Sequence, residues 1–213
     1  MDCKHNVTRI RILTYSLEKF QGQYTTAISM ITLPDYLDHN LNIVSIGLNP
    51  SPVSVKAGYY FANPRNRFWQ ALNASRLVDG KLQPGEAAVQ ALFMKYKIGF
   101  TDLVKKPTRM GNELRTADYR AGAPALKEKL LNYQPGLAWF HGKVTYRNYL
   151  KYADGVEKEI PWGLQKYAIG KSHVFVTPNP SPANARYSIE DLVKYYNEMV
   201  SYQVREKFGL GSD

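Results

Sequence analysis

Cysteine is almost absent from this chain of 213 residues, which contains Cys3 alone. An intrachain disulfide, an iron–sulfur cluster held by four cysteines and a structural zinc site with two or more cysteine ligands are therefore excluded. The four histidines show no spacing typical of metal ligands. We expect no metal site, and a reducing, intracellular compartment.

Long hydrophobic runs are also missing. No apolar stretch approaches the roughly 20 residues that a membrane-spanning helix needs. Residues 1–5 lack the apolar stretch of a secretion signal. We expect a soluble, monomeric, cytoplasmic protein without a membrane partner, associated with the nucleoid if its source is bacterial.

Acidic residues are in the minority. Asp and Glu number 18 against 28 Lys and Arg, which gives a formal net charge of +10 and a pI near 9.5. Such an excess favours a polyanionic partner, nucleic acid before an anionic membrane surface. Solubility alone also explains a basic surface, so the charge is weak evidence.

Internal repeats, low-complexity tracts and flexible linkers are absent too. We assign residues 31–213 to a single domain and residues 1–30 to an N-terminal extension packed on it. Residues 9–15 alternate weakly, as a short edge strand does. Residues 33–37 place a proline just inside a short helical turn.

Short apolar strands alternate with helices along the rest of the chain. The pattern predicts strands at 42–48, 137–141, 166–169 and 174–176, and helices at 67–76, 86–95, 119–132, 144–152 and 188–207, the third helix interrupted by Pro124. This order predicts an α/β fold, a three-layer α/β/α sandwich with a mainly parallel central sheet. In such sheets functional loops follow the carboxyl ends of strands, which selects residues 47–69 and 177–187.

The first of these loops combines Pro, Gly and Asn with aromatic side chains directly after a strand. An asparagine here is suited to fix a water or read an amide edge, because its side chain both donates and accepts hydrogen bonds. The simpler interpretation is that Asn49 caps a turn and that Phe61, Phe68 and Trp69 belong to the core.

The second loop contains three prolines and leads into the N-terminus of the last helix, which would suit a phosphate. The simpler interpretation is a stiff connector. No glycine-rich phosphate loop occurs in the sequence, so a phosphate-binding metabolic enzyme on an α/β scaffold is disfavoured.

Taken together, these strings resemble the mismatch-specific uracil/thymine DNA glycosylases of the uracil-DNA glycosylase superfamily. Residues 47–50 resemble that family's G-[IL]-N-P motif, which is followed by an aromatic residue at Phe61 and by N-x-F-W at 66–69. Residues 99–104 resemble its G-[FV]-T-x-[LM]-V segment, and residues 178–181 its bacterial P-N-P-S loop. The lack of a G-Q-D-P-Y-H string and of a histidine in the second loop argues against the classical uracil-specific branch.

The resemblance implies a uracil-DNA glycosylase-like fold with a base pocket at the carboxyl ends of the strands, into which a nucleotide is extruded from the duplex. By this resemblance, Asn49 positions the water that attacks the sugar C1′, and Phe61 stacks on the extruded pyrimidine. Backbone N–H groups would stabilise the departing base anion. Further pocket residues are expected at Gly47, Leu48, Ser54 and Asn179.

Asp102 stands where this family carries Lys or Asn. We expect its carboxylate to help Asn49 hold or deprotonate the water, because a carboxylate accepts a proton that an amide cannot. The alternative is that Asp102 caps a helix that starts after Thr101.

The second loop would wedge into the duplex and hold the gap left by the extruded base. It departs from the bacterial form P-N-P-S-G-L-S-R because it has one extra residue and lacks the usual bulky wedge, while Arg186 matches the terminal Arg. The expected wedge residues are Ser181, Pro182, Ala183, Asn184, Ala185 and Arg186. The expected phosphate contacts are Lys56, Arg65, Arg67, Lys105, Lys106 and Lys143.

The sequence thus predicts a monofunctional DNA glycosylase that removes uracil, with thymine as a second candidate, opposite guanine in base-excision repair. Its partner would be double-stranded DNA with a mismatched or damaged base, and the resemblance implies that it needs no cofactor. One alternative is a superfamily member for hypoxanthine, xanthine or another modified base. The other is a non-catalytic DNA-binding relative.

Overall fold

The computed structural model of the chain describes residues 19–20, 23–24 and 31–208. Strands β1 (Lys19–Phe20) and β2 (Gln23–Tyr24) form an antiparallel pair outside the main sheet. The edge strand predicted at 9–15 lies outside the described residues.

Five strands form the central sheet. They are β3 (Ile43–Gly47), β4 (Ile98–Asp102), β5 (Leu137–His141), β6 (Gly163–Leu164) and β7 (His173–Thr177). Their spatial order is β4-β3-β5-β7-β6, in which the first four strands are parallel and β6 is antiparallel at the edge. The predicted α/β fold with a mainly parallel sheet is confirmed.

Within the described residues there are six α-helices: α1 (Pro52–Ala57), α2 (Phe68–Ala74), α3 (Glu86–Met94), α4 (Thr116–Tyr133), α5 (Lys143–Tyr149) and α6 (Ile189–Phe208). A 3-10 turn spans Gly111–Glu113 and a π-helical turn spans Leu150–Asp154. None of the described helices has the length and apolar character needed to cross a bilayer.

Consecutive side chains of β5 show how the layers are built, because they point to opposite faces of the sheet. Trp139 packs against Tyr196 of α6, with ring centroids 4.7 Å apart. Phe140 packs against Tyr146 of α5 on the other face, at 4.9 Å. The fully buried strand is therefore apolar on both faces, as a central parallel strand has to be.

Strand β4 was not predicted, because Gly99, Thr101 and Asp102 dilute its apolar signal. The glycine is required: a Cβ there would collide with the carbonyl oxygen of Tyr36. Tyr36 exchanges backbone hydrogen bonds with Phe100, at 2.8 and 3.0 Å. The helical turn predicted at 33–37 is therefore wrong, since none of these residues is helical and Tyr36 forms an isolated antiparallel bridge at the outer edge of β4.

Two further predictions differ from the structure. The strand predicted at 166–169 is wrong: the antiparallel pairing with β7 involves β6, and its last hydrogen bond runs from Gln165 N to Val174 O at 2.8 Å. Helix α4 continues through Pro124, which was expected to interrupt it. Pro124 has no N–H to donate to the carbonyl of Arg120, but both residues are exposed, so the missing hydrogen bond does not lie in the core.

Candidate active site

The carboxyl ends of four parallel strands meet at one edge of the sheet. Gly47, the end of β3, is in register with Asp102, the end of β4. His141, the end of β5, is in register with Thr177, the end of β7. The chain order reverses between β3 and β5, because β4 lies on one side of β3 and β5 on the other. Open α/β sheets bind their ligands at such a switch point.

The two loops selected from the sequence both start at this edge. The first loop, residues 47–69, follows β3, and the second loop, residues 177–187, follows β7. They are in direct contact, because the backbone N–H of Arg67 donates to Pro180 O at 3.1 Å.

Asn49 is half-buried, and its amide group has a defined orientation. Its Nδ2 donates to Lys106 O at 2.9 Å and to Thr108 Oγ1 at 2.8 Å. Thr108 donates its own proton to Met110 O at 2.8 Å, so towards Asn49 its oxygen is an acceptor. Among the described residues none donates to Asn49 Oδ1. Asn49 therefore presents an amide oxygen that is able to accept a hydrogen bond from a water molecule.

Asp102 is buried against the backbone of Gly47. Its side chain is 3% exposed, and a Cβ at Gly47 would lie 2.6 Å from Asp102 Oδ1, so only glycine leaves room for the carboxylate. Burial raises the pKa of Asp102, and Lys105, with Nζ 3.4 Å from Oδ2, opposes that rise in part. A carboxylate with a raised pKa suits proton transfer. The alternative role as a helix cap is excluded, since the next helical turn begins only at Gly111.

Lys105 belongs to an internal charge network. Its Nζ lies 2.9 Å from Asp35 Oδ1, and Lys129 Nζ lies 2.6 Å from Asp35 Oδ2. Burial alone would lower the pKa of Lys105, but the carboxylates of Asp102 and Asp35 raise it. Two carboxylates of the protein thus already share the ammonium group of Lys105, and its contact with phosphate stays a prediction.

Phe61 and Phe68 form an aromatic platform with ring centroids 4.0 Å apart and planes inclined by 13°. Phe61 has a φ of 57°, a left-handed conformation that bulky residues rarely adopt. Such strain concentrates at functional sites. The buried hydroxyl of Ser54, a predicted pocket residue, accepts the N–H of Ala62 at 3.2 Å and so fixes this turn from within. With one face on Phe68, the Phe61 ring has only its opposite face for a ligand.

Gly47 and Leu48, two other predicted pocket residues, are half-buried at the sheet edge. Leu48 lies against Gly111, where an added Cβ would come within 2.7 Å of its Cδ2. Its backbone carbonyl accepts the N–H of Val104 at 3.0 Å, which joins the first loop to the segment after β4.

His141 contacts residues of both loops from within the sheet. Its position at the end of an apolar strand does not reveal this supporting role in the sequence. Its Nε2 is hydrogen-bonded to Ser45 Oγ at 2.8 Å, and its ring meets Phe61 edge-on at 5.2 Å. Burial lowers the pKa of His141 to about 3, so the imidazole is neutral. Its carbonyl accepts a bond from Asn179 Nδ2 at 3.3 Å.

Asn179, expected to contact the pocket, organises the start of the second loop. Its Oδ1 accepts the N–H of Ser181 at 2.9 Å, and its backbone carbonyl accepts from Asn184 Nδ2 at 3.0 Å. Ser181 and Asn184 are half-buried. The exposed residues of the predicted wedge are Pro182, Ala183, Ala185 and Arg186.

The predicted phosphate contacts differ in their surroundings. Lys56 and Arg65 are exposed and have no ion-pair partner among the described residues. Lys143 Nζ lies 4.6 Å from the ring centroid of Trp162. Lys106 Nζ lies 3.2 Å from Asp118 and remains partly exposed.

Arg67 was also expected to contact phosphate, but its guanidinium donates to backbone carbonyls of the second loop. Within the part of the chain that the structure describes, no group of three or more His, Cys, Asp or Glu side chains is arranged to hold a metal ion.

Comparisons with known proteins identify the family and support the fold. The family model described as "Uracil DNA glycosylase superfamily" matches residues 34–200, which contain both loops. A solved structure supports the fold: the solution NMR structure of a proposed uracil DNA glycosylase from Methanosarcina acetivorans has a TM-score of 0.50 and 22% sequence identity. That similarity covers 82% of this chain and 97% of the other. Because the family model extends over most of its length, this chain belongs to the uracil DNA glycosylase superfamily.

Proposed function

We propose that the protein is a monofunctional, mismatch-specific DNA glycosylase that hydrolyses the N-glycosidic bond of uracil, with thymine as a second candidate, paired with guanine in double-stranded DNA. The observation that carries the proposal is the fixed amide of Asn49. With Nδ2 bound to Lys106 O and Thr108 Oγ1, Oδ1 is the atom left to hold a water.

In the proposed reaction the C1′–N bond breaks and its electron pair leaves with the base. The water oxygen forms a bond to C1′, and its proton passes to the carboxylate of Asp102, while the base anion later takes a proton from solvent. The raised pKa of Asp102 supports this role, because the carboxylate holds a proton near the reacting centre more readily than an exposed one.

Water, rather than a lysine, is the proposed nucleophile. Lys105 is the amine in contact with Asp102, and its pKa is raised by the carboxylates of Asp102 and Asp35 despite burial. A protonated amine is a poor nucleophile. The enzyme would therefore leave an abasic site without cleaving the strand.

Phe61 would stack on the extruded base with the ring face that is turned away from Phe68. The exposed residues of the second loop, including Pro182 and Arg186, would occupy the gap in the duplex. Lys56 and Arg65 would contact phosphates, since their charges are unpaired among the described residues.

The test is single-turnover excision from end-labelled duplexes that contain G:U, G:T or A:U pairs, with single-stranded uracil for comparison, followed by alkali to reveal abasic sites. Asn49→Ala should lower the rate on G:U by about a hundredfold or more, the loss typical when one preorganised polar contact to the transition state is removed. Faster G:U than A:U cleavage would support mismatch specificity. No excision of uracil from any substrate would refute the assignment, and duplexes with hypoxanthine or xanthine would then be tested.

A further inference from the structure

We infer that Arg67 is a positioning residue that holds the second loop in the shape with which it enters DNA. This inference rests on the proposed function, in which residues 177–187 occupy the gap left by the extruded nucleotide. The side chain that was expected to bind phosphate would act instead through the backbone of this loop.

The contacts of Arg67 reach both sides of the exposed part of the loop. On the side before it, Nε lies 3.4 Å from Pro180 O and Nη2 lies 3.0 Å from Ser181 O. On the side after it, Nη2 lies 2.7 Å from Asn184 O and Nη1 donates to Tyr187 O. One planar group therefore fixes the separation of the two ends of the wedge.

The partners of this guanidinium are backbone carbonyls, and within residues 31–203 no carboxylate forms an ion pair with it. Hydrogen bonds from a charged donor are stronger than neutral ones. The unneutralised charge also lies beside the part of the loop that would face the phosphates. Lysine cannot replace this arrangement, because its donors radiate from one atom and do not span four carbonyls.

The composition of the loop explains why it needs such support. Its exposed side chains at Pro182, Ala183 and Ala185 are small, so the backbone, together with the side chain of Arg186, would have to fill the gap in the duplex. A mobile backbone would lose conformational freedom on binding, and that loss would weaken the complex. Preorganisation by Arg67 removes most of this cost before DNA arrives.

Arg67 also joins the second loop to the base platform. It occupies the N-cap position of α2, and the next residue, Phe68, carries the stacked ring of Phe61. The base platform and the wedge are thus attached to consecutive residues of one rigid element. Loosening the contacts of Arg67 should therefore disturb extrusion more than the chemical step.

The first experiment tests the loop without DNA. Trypsin needs a locally opened backbone, so cleavage after Arg186 reports opening of the second loop. Cleavage after Lys171 provides an internal reference, because this residue lies in an exposed turn at the amino end of β7, away from the loop. In Arg67→Ala and Arg67→Lys the ratio of cleavage at Arg186 to cleavage at Lys171, read by mass spectrometry, should rise roughly tenfold.

A matched control is Arg76→Ala. Arg76 follows the same helix and donates to Asn197 O at 3.1 Å and to Ser201 Oγ at 2.7 Å, away from the second loop. This variant also loses arginine hydrogen bonds, but none to the second loop, so it should leave the cleavage ratio unchanged. Thermal melting of all three variants verifies that each is folded. If Arg67→Ala does not fold, Arg67→Lys still tests the positioning role.

The second experiment measures single-turnover excision of uracil opposite guanine and opposite an abasic-site analogue. Extrusion is easier from the second duplex, because no base pair has to be broken. The Arg67 variants should lose on the order of tenfold in rate on the G:U duplex and much less on the other. A merely structural role would lower both rates equally.

The outcomes of these experiments distinguish the positioning role of Arg67 from the proposed glycosylase function. An unchanged trypsin ratio in both Arg67 variants, or equal rate losses on the two duplexes, would overturn the positioning role. If the wild-type protein excises uracil from neither duplex, the proposed function fails and the DNA role of the loop with it. The trypsin ratio would still decide whether Arg67 holds the loop.

Discussion

Thr108→Val is a sharp test of how Asn49 works, because valine keeps the shape of threonine and removes its hydroxyl. Thr108 is 8% exposed, and its Oγ1 accepts from Asn49 Nδ2 at 2.8 Å while donating to Met110 O. The substitution deletes one of the two strong anchors of the amide. Lys106 O, at 2.9 Å, remains as the other.

The size of the effect follows from that single lost hydrogen bond. A typical intramolecular bond contributes about 1 kcal/mol net, which corresponds to roughly a fivefold change in rate if it is expressed fully in the transition state. We therefore expect Thr108→Val to slow single-turnover excision about three- to tenfold. Asn49→Ala should be far slower, since it removes the acceptor itself.

A double-mutant cycle tests whether Thr108 affects the excision rate through Asn49. If Thr108 acts only by orienting Asn49, the Asn49→Ala/Thr108→Val variant should be as slow as Asn49→Ala alone. Rates would be measured with saturating enzyme on the G:U duplex, so that weaker binding does not enter the comparison.

Ser75→Ala is the matched control. Ser75 is 7% exposed and its hydroxyl also makes two hydrogen bonds, to Leu72 O and from Leu77 N, at the far end of α2. It should cost a similar amount of folding stability and leave the excision rate unchanged. The reasoning would be refuted by a wild-type rate in Thr108→Val, or by additive losses in the double variant.

Two further predictions concern Asp102 and DNA binding. Because burial raises the pKa of Asp102, the wild-type excision rate should rise with pH through that pKa. Asp102→Asn should lose this rise and about two to four orders of magnitude in rate. The same raised pKa means that folding opposes ionisation, so stability falls as pH increases through it. Asp102→Asn should therefore melt no lower than wild type at neutral pH, in thermal denaturation followed by circular dichroism. Separately, Lys56→Ala should reduce the slope of log K against log[salt] by about 0.9 in DNA titrations, whereas Lys171→Ala, at the opposite sheet edge, should not.

The elements that could be predicted from the sequence are those with a continuous apolar signal. The strand expected at 137–141 coincides with β5, and the helix expected at 86–95 with α3. Helix α1 was missed because its signals lie inside a proline-rich loop: Ser51 caps it by accepting the N–H of Ser54 at 3.1 Å, and Pro52 is its first residue. Local propensity over six residues is too weak to be noticed among such turn signals.

Side-chain partners were harder to predict than elements, because they depend on which segments the fold brings together. From the sequence, Arg67 and Lys105 were both predicted to contact phosphates, since each is basic and lies in or next to one of the loops that follow the strands. The fold supplies Arg67 with carbonyls more than a hundred positions away in the chain, and Lys105 with Asp35, 70 positions earlier. Neither set of partners can be recognised from the sequence around Arg67 or Lys105.

The contrast between Asp35 and Asp102 shows what the fold adds to the candidate chemistry. Both carboxylates share Lys105, but Asp35 also has Lys129 at 2.6 Å, and the two lysines outweigh its burial and lower its pKa. Asp102 has the longer contact to Lys105 and a hydrogen bond with Tyr60, which both lower its pKa, but burial outweighs them and raises it. Environments that separate the pKa values of two neighbouring acids also separate their roles. Asp35 is suited to remain an ionised structural anchor, which leaves Asp102, beside Gly47 at the carboxyl edge of the sheet, as the group able to take up a proton.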